Sequence, residues 1–289
     1  MATTREIRRR IRSIGNITQI TRAMEMVSAA KMRRAQQRVE ASRPYSDRIR
    51  LMISALSGLT DIEEGTYPLL DKREIERVGL VVMSADKGLA GALNSNIVRR
   101  TVDFIRDDLD DQPVEIVAIG RKARDFFRRT RYGLEAEFTN MPDWPGIEDL
   151  HPIVDIAIDD FTRGKIDAVY LSFTQFENVL TQRPIVRQLL PIEPAPDEEA
   201  IEEVRDFIFE PDRATVLNAL LPRYIEVQVY QAMLEALASE HAARMVAMRN
   251  ATENANELVD ELTLSYNKAR QTQITNEVSE IAAGALSGR

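Results

Sequence analysis

Between Arg223 and Ala283 the chain contains neither proline nor glycine, and side chains recur at alternating steps of three and four: Leu234, Leu237, His241, Met245, Met248, Thr252, Ala255, Val259, Leu262, Tyr266, Ala269 and Gln273. Nine of these twelve are apolar or aromatic, and the mean step lies close to the 3.5 residues of a coiled-coil seam. About sixty residues at roughly 1.5 Å rise give a helix of roughly 90 Å. A compact domain of roughly 100 residues has a radius of gyration near 13 Å. No domain built by this chain would bury such a helix, so the pattern predicts one that protrudes.

A second seam runs from the other end: Ile7, Ile11, Ile14, Thr18, Thr21, Glu25, Ser28, Met32, Ala35, Val39, Ser42, Ser46, Ile49, Ile53 and Leu56. Thr3 or Thr4 supplies an N-cap with Glu6 in the first turn, and Gly58 a natural stop. Gly15 costs about 1 kcal/mol against alanine without breaking so long a helix. Pro44 should kink it or mark a join. Two helices of matching length and period, one at each terminus, are best paired with each other. Since both leave the same body, the pair is antiparallel. Each helix also carries apolar residues off its seam: Ile17, Ile20, Met24 and Val27 on the first, Ile274, Val278, Ile281 and Ala285 on the second. Left exposed, these second stripes are an aggregation hazard, which predicts that another protein covers them. The alternative is that they only widen the seam.

The grammar changes in the middle. Asp61–Arg77 is a polar connection. Strands are predicted at Val78–Ser84, Val114–Gly120, Tyr132–Phe138, Ala168–Phe176 and Pro184–Ile192, the last two pairing with each other. Helices are predicted at residues 93–106, 121–130 and 150–162. That alternation argues a small α/β, Rossmann-like sheet domain inserted between the two long helices. The fold class is thus mixed, with segments 1–60, 78–192 and 212–286 as its parts. Pro191, Pro194 and Pro196 lead into an acidic stretch, residues 197–210, with seven carboxylates against Arg205 alone. Asp212 can cap a short helix, which Pro222 separates from the long one.

Charge sharpens this picture. The net charge of −8 over 289 residues hides a balance of +9 in residues 1–50, 13 Lys/Arg against 4 Asp/Glu, and of −17 in the remainder. A basic arm on an acidic body implies an acidic partner for the arm. Nucleic acid is disfavoured, because Tyr45 is the arm's only aromatic residue. No run of roughly 18 apolar residues is present, so direct membrane insertion is not expected. The opening MATTREIRRRIR lacks the apolar core of a secretory signal.

Chemistry is sparse. With no cysteine and only His151 and His241 as imidazoles, no thiolate nucleophile and no obvious metal set can be assembled. The loop SADKGLAGALNSN (residues 84–96) joins a strand to a helix, where glycines can cradle a phosphate. It matches neither G-x-G-x-x-G nor G-x-x-x-x-G-K-[ST], and a tight turn is the simpler reading. The carboxylates Asp159/Asp160 and Asp107–Asp111 read as solvated helix ends, and His241 as a satisfied seam position. No catalytic residue, bound cofactor or metal is expected.

Both termini nevertheless resemble a known family. IRSIGNITQITRAMEMVSAAKMRRAQ with SRPY (Ser42–Tyr45), and the block from EVQVYQAMLEAL to ITNEVSEIAAGA, resemble the first and last helices of F-type ATP synthase γ subunits; SADKGLAGALNSN and FIFEPD match that family's central landmarks. The resemblance implies a non-catalytic rotor shaft, with ATP, ADP and Mg²⁺ held by partner subunits. Its partners would be the α and β subunits of the hexameric head, the ε subunit and the membrane c-ring. Its place would be peripheral, on the cytoplasmic side of a bacterial plasma membrane. Tip contacts with the head carry over to Met24, Arg270, Gln271, Thr275 and Glu277; foot contacts with the ring and ε carry over to Phe207 and Glu210. Two other readings stay open at this level. One is a coiled-coil tether unrelated to a rotary enzyme. The other is a nucleotide-dependent enzyme built on residues 78–192.

Overall fold

The computed structural model describes residues 3–59, 65–194, 201–202, 204 and 207–287, without the side chains of residues 280 and 282–287. Pro196, half of the acidic stretch 197–210 and the Ala285 side chain therefore lie outside the described residues. The elements in chain order are α1 (Thr4–Leu59), β1 (Val78–Met83), α2 (Leu93–Asp103), β2 (Val114–Ile119), α3 (Arg121–Phe127), β3 (Gly133–Phe138), α4 (His151–Thr162), β4 (Ala168–Phe176), β5 (Gln182–Leu190) and α5 (Arg213–Ser287).

The chain divides into two compact units. The first, Ala30–Ala243, holds a five-stranded sheet of order β3-β2-β1-β4-β5. The first four strands are parallel and β5 turns back antiparallel on β4. All six residues of β1 are buried, as a central strand covered on both faces requires. At the edge, β3 alternates between exposed and half-buried. One face, with Val81, Met83, Val117 and Leu171, packs in one cluster with Phe161 of α4, Ile49, Ile53 and Leu56 of α1 and Leu217, Leu221 and Ile225 of α5. The other face, with Leu80, Val82 and Ile116, is closed by Phe104, Ile105 and Phe127.

The second unit, Met1–Ala29 with Arg244–Arg289, takes only the distal parts of α1 and α5. They run antiparallel there, since Thr4 bonds Gln273 and Thr21 bonds Thr252. Along both helices the predicted seam turns inward: each α1 seam residue from Ile7 to Leu56 is buried or half-buried, and so is each α5 seam residue except Gln273.

The helix starts follow their caps. Thr3 Oγ1 accepts from the Glu6 N–H at 3.3 Å while Glu6 Oε2 accepts from the Thr3 N–H at 2.9 Å, a reciprocal capping box. Asp212 Oδ1 accepts from the Thr215 N–H at 2.8 Å, as the sequence predicts. The structure differs at Pro222, which lies inside a continuous α5 and separates nothing. It lies near the start of a 75-residue helix whose flanking turns are locked in the apolar cluster by Leu217, Leu221 and Ile225. That burial outweighs the one backbone hydrogen bond a proline removes. Pro44 lies inside α1 in the same way.

Candidate interaction surfaces

Polar pairs interrupt the apolar seam of the tip unit. Thr21 and Thr252 share a hydrogen bond of 2.6 Å between their hydroxyls, Arg249 Nε donates to Glu25 Oε1 at 3.0 Å, and Thr4 Oγ1 donates to Gln273 Oε1 at 3.3 Å. Arg8 donates to the Tyr266 hydroxyl and stacks its guanidinium 5.2 Å from that ring's centre. Each such bond contributes only about 1 kcal/mol net, since water replaces it when it breaks. The cross-helix partners were not readable from sequence, although the polar residues at seam positions were the signal.

Apolar surface in this unit faces solvent. Ile17, Ile20 (59% exposed) and Val27 of α1, and Ile274, Val278 (60%) and Ile281 (73%) of α5, stand outside the seam. The second stripes therefore do not simply widen the helix pair's own contact. Met26, Leu258 and Leu264 add to them; those three lie outside both predicted stripes. Of the residues carried over to the tip, Met24 is half-buried and Arg270, Gln271, Thr275 and Glu277 are exposed. Thr275 Oγ1 donates to the Gln271 carbonyl at 2.9 Å, and Gln273 Nε2 to Glu277 Oε1 at 2.9 Å. Arg270, Gln271 and Glu277 are thus on one helix and Met24 on the other.

In the body unit, Phe207 and Ile208 (89% exposed) project from a segment anchored on either side. Val204 is fully buried against Ala55 of α1. Phe209 packs on the same cluster under the Arg213 guanidinium, 5.9 Å from its ring. Glu210 beside it is exposed. Phe207 and Glu210 are thus both exposed, and Ile208 adds apolar surface beside Phe207; its place in FIFE was the available signal.

The remaining polar candidates are engaged within the chain. In the loop after β1, Asp86 accepts from the N–H groups of Arg121 and Asn140, both at 2.9 Å, and Ser84 Oγ accepts from the Ala123 N–H at 2.8 Å. These contacts tie the loop to the start of α3; at the start of α2, into which the loop leads, the Leu93 N–H donates to the Ala90 carbonyl at 3.3 Å and Asn94 Oδ1 accepts from the Ala85 N–H at 3.0 Å. Gly120, at φ +88°, is required here because a Cβ would stand 2.1 Å from the Ser84 carbonyl oxygen. Asp159 pairs with Arg163 at 2.9 Å, and Asp111 with Arg131 at 2.7 Å. Asp160, Glu115 and Glu135 form a carboxylate group with oxygens within 4.8 Å of one another. The Lys165 ammonium sits among them at 3.1, 2.8 and 2.9 Å, where a metal ion would otherwise be held. Hydrogen bonds that the ammonium donates to Glu115 and Glu135 raise the Lys165 pKa above the ordinary lysine value. His241 is buried on the seam of α5.

An antiparallel helix pair interrupted by a five-stranded sheet is the fold of ATP synthase central stalks. The chain aligns at TM-score 0.67 with a subunit of the Euglena gracilis mitochondrial ATP synthase, covering 98% of this chain and 94% of that one at 19% identity. It aligns at TM-score 0.58 and 27% identity with a chain of the Tetrahymena thermophila mitochondrial ATP synthase central stalk/c-ring, covering 80% of this chain and 99% of that one. The sequence profile of the ATP synthase family matches residues 3–287. The ATP synthase gamma chain of Roseiflexus castenholzii is 54% identical over 288 residues, 99% of this chain and 98% of that one. The chain belongs to the gamma-chain family of F-type ATP synthases, the non-catalytic central-stalk subunits of the rotor.

Proposed function

We propose that the tip unit turns inside a hexamer of α and β subunits while the body unit rests on the ε subunit and the membrane c-ring. The observation that carries this reading is the pairing, in one helical unit, of exposed apolar stripes with a seam that polar pairs interrupt. The stripes at Ile17, Ile20, Val27, Ile274 and Val278 need a sheath to keep them from water. A shaft must also avoid locking in that sheath. Flexible, water-exchangeable groups such as Arg270, Gln271, Thr275 and Glu277 suit contacts that are made and broken at each step, because no single one is worth much more than about 1 kcal/mol. Met24 supplies an adaptable apolar contact on the opposite helix. At the foot, Phe207 and Glu210 offer an aromatic anchor beside a carboxylate for the ring and ε.

In this reading segments 1–60 and 212–286 form the shaft and segment 78–192 the foot domain. ATP, ADP and Mg²⁺ bind in the partner subunits, and this chain acts on them by shape. Its two helices present different side chains to each catalytic site in turn, so rotation presses each site through a different conformation. Among the described residues no helix is long and apolar enough to cross a membrane. That is consistent with peripheral attachment, on the cytoplasmic side of a bacterial plasma membrane.

The reading is tested by purifying the complex through a tag on this chain and fixing the head to a surface. One copy of this chain should co-purify with six larger subunits, and a probe beside Phe207 should turn in steps when ATP is added. A symmetric homodimer of this chain, free of larger subunits, would instead support a tether.

A further inference from the structure

We infer that residues 140–146, between β3 and α4, form a clamp that fixes the sheet to both long helices and carries twisting force from one to the other. The inference rests on the rotor reading above. The loop is pinned at both ends: the Asn140 N–H donates to Asp86 Oδ2 at 2.9 Å, and the Gly146 N–H donates to Asp149 Oδ2 at 2.8 Å. Pro142 and Pro145 fix two backbone angles between those pins. What remains is a stiff bridge with two working side chains, Asp143 and Trp144.

Each grips a helix. Asp143 Oδ2 accepts from the Lys31 Nζ of α1 at 2.6 Å. That bond holds the Asp143 carboxyl below its ordinary pKa against the opposing effect of burial. The Trp144 ring lies under the Arg38 guanidinium of α1, 5.2 Å from its centre, and 6.4 Å from the ring of His241 on α5. A planar side chain held by a cation on one helix and an imidazole on the other resists both sliding and twist. Arg38 is exposed like Arg33 and Arg34 on the basic arm, and of the three it is the one whose guanidinium covers the Trp144 ring.

The position gives the clamp leverage. The apolar cluster beneath the sheet takes α1 residues from Ile49 onward and α5 residues up to Leu237. Lys31 and Arg38 lie beyond it, so the clamp meets α1 roughly 17–27 Å further along the helix axis at about 1.5 Å per residue. Two attachments separated along an axis resist bending and twisting far better than one. Lys31 and His241 are also among the last residues of the body unit before both helices continue into the tip unit. The clamp thus marks the end of the stretch in which the helices are held by the sheet.

The test uses the complete complex, with the head fixed in a catalytic dwell and a probe on the foot, reading the variance of the probe's angle. Trp144→Ala should broaden that distribution, Trp144→Phe should restore most of the stiffness, and ATP-driven rotation of the wild type should be intact. Lys31→Gln and Asp143→Asn, placed on the surface and safe for folding, should each broaden it, with the double variant no broader than either alone. Ile97→Ala, a core truncation in α2, should lower stability and leave the variance unchanged. Wild-type variance in Trp144→Ala and in both surface variants would overturn the clamp, as would equal broadening by Ile97→Ala. Failure of the wild type to rotate would instead overturn the rotor reading, and the clamp with it.

Discussion

The two units use the same pair of helices in opposite ways. In the body, α1 and α5 meet through Ile53, Leu56, Leu217 and Ile225, all nearly or fully buried within one cluster that continues into the sheet. In the tip, polar pairs such as Thr21–Thr252, Glu25–Arg249 and Arg8–Tyr266 interrupt a seam that still buries Ile7, Met245 and Met248, while Ile17, Ile20, Val27, Ile274 and Val278 face outward. A buried aliphatic seam is stabilised by all the apolar area it removes from water. A hydroxyl or charged pair gains little, because water competes for it. The body is built to hold its helices; the tip keeps its apolar surface for something else.

The largest effect should come from breaking the body seam. Leu56→Ala, at a fully buried position, should cost about 2–5 kcal/mol, read as a lower urea midpoint of the full chain. Ile20→Ala in the tip should cost under about 0.5 kcal/mol. Equal losses at the two positions would erase the contrast. Next comes Gly120→Ala, whose Cβ would strike the Ser84 carbonyl at 2.1 Å in a positive-φ conformation; it should cost about 1–3 kcal/mol.

The tip seam offers a finer test. Thr21→Val alone should cost about 1 kcal/mol, while Thr21→Val with Thr252→Val should be nearly neutral, since no hydroxyl is left without its partner. A double variant worse than the sum of the singles would contradict the account of a loosely held seam.

The smallest effect concerns Glu235, on the face of α5 that packs on the core. Burial pushes its carboxyl pKa up, opposed by Arg187 and Arg43. A raised acid pKa means that the folded state prefers the protonated form. Its favourable contribution is full below the unfolded carboxyl pKa of about 4.3 and is lost as pH rises through the folded value. Glu235→Gln should therefore raise the urea midpoint at pH 7, and that gain should vanish near pH 4. A gain independent of pH would mean that packing, not charge, is responsible.

Much of this was readable in the chain. The alternating three-and-four step fixes which residues turn inward, and nearly every seam position from Ile7 to Ala269 is covered. The strands announce themselves because β1 is an apolar run buried throughout, β2 is broken only by Glu115, and β4 alternates. Pro222 was misread because local propensity cannot weigh the burial of Leu217 and Ile225 on either side of it. The clamp was invisible for a related reason. Lys31, Trp144 and His241 are remote in sequence, and only the folded sheet brings NMPDWPG to both helices. The exposed stripes were legible as surplus, but their exposure depended on how the seam closed.

A sheath over the tip can be measured directly, because the chain has no cysteine of its own. A single cysteine at position 274, Ile274→Cys, should react readily with a maleimide in the isolated chain, where Ile274 is 49% exposed. It should be protected in the assembled complex, while a control cysteine at the exposed Lys72 reacts alike in both. Equal labelling of position 274 in the free and assembled chain would contradict the account.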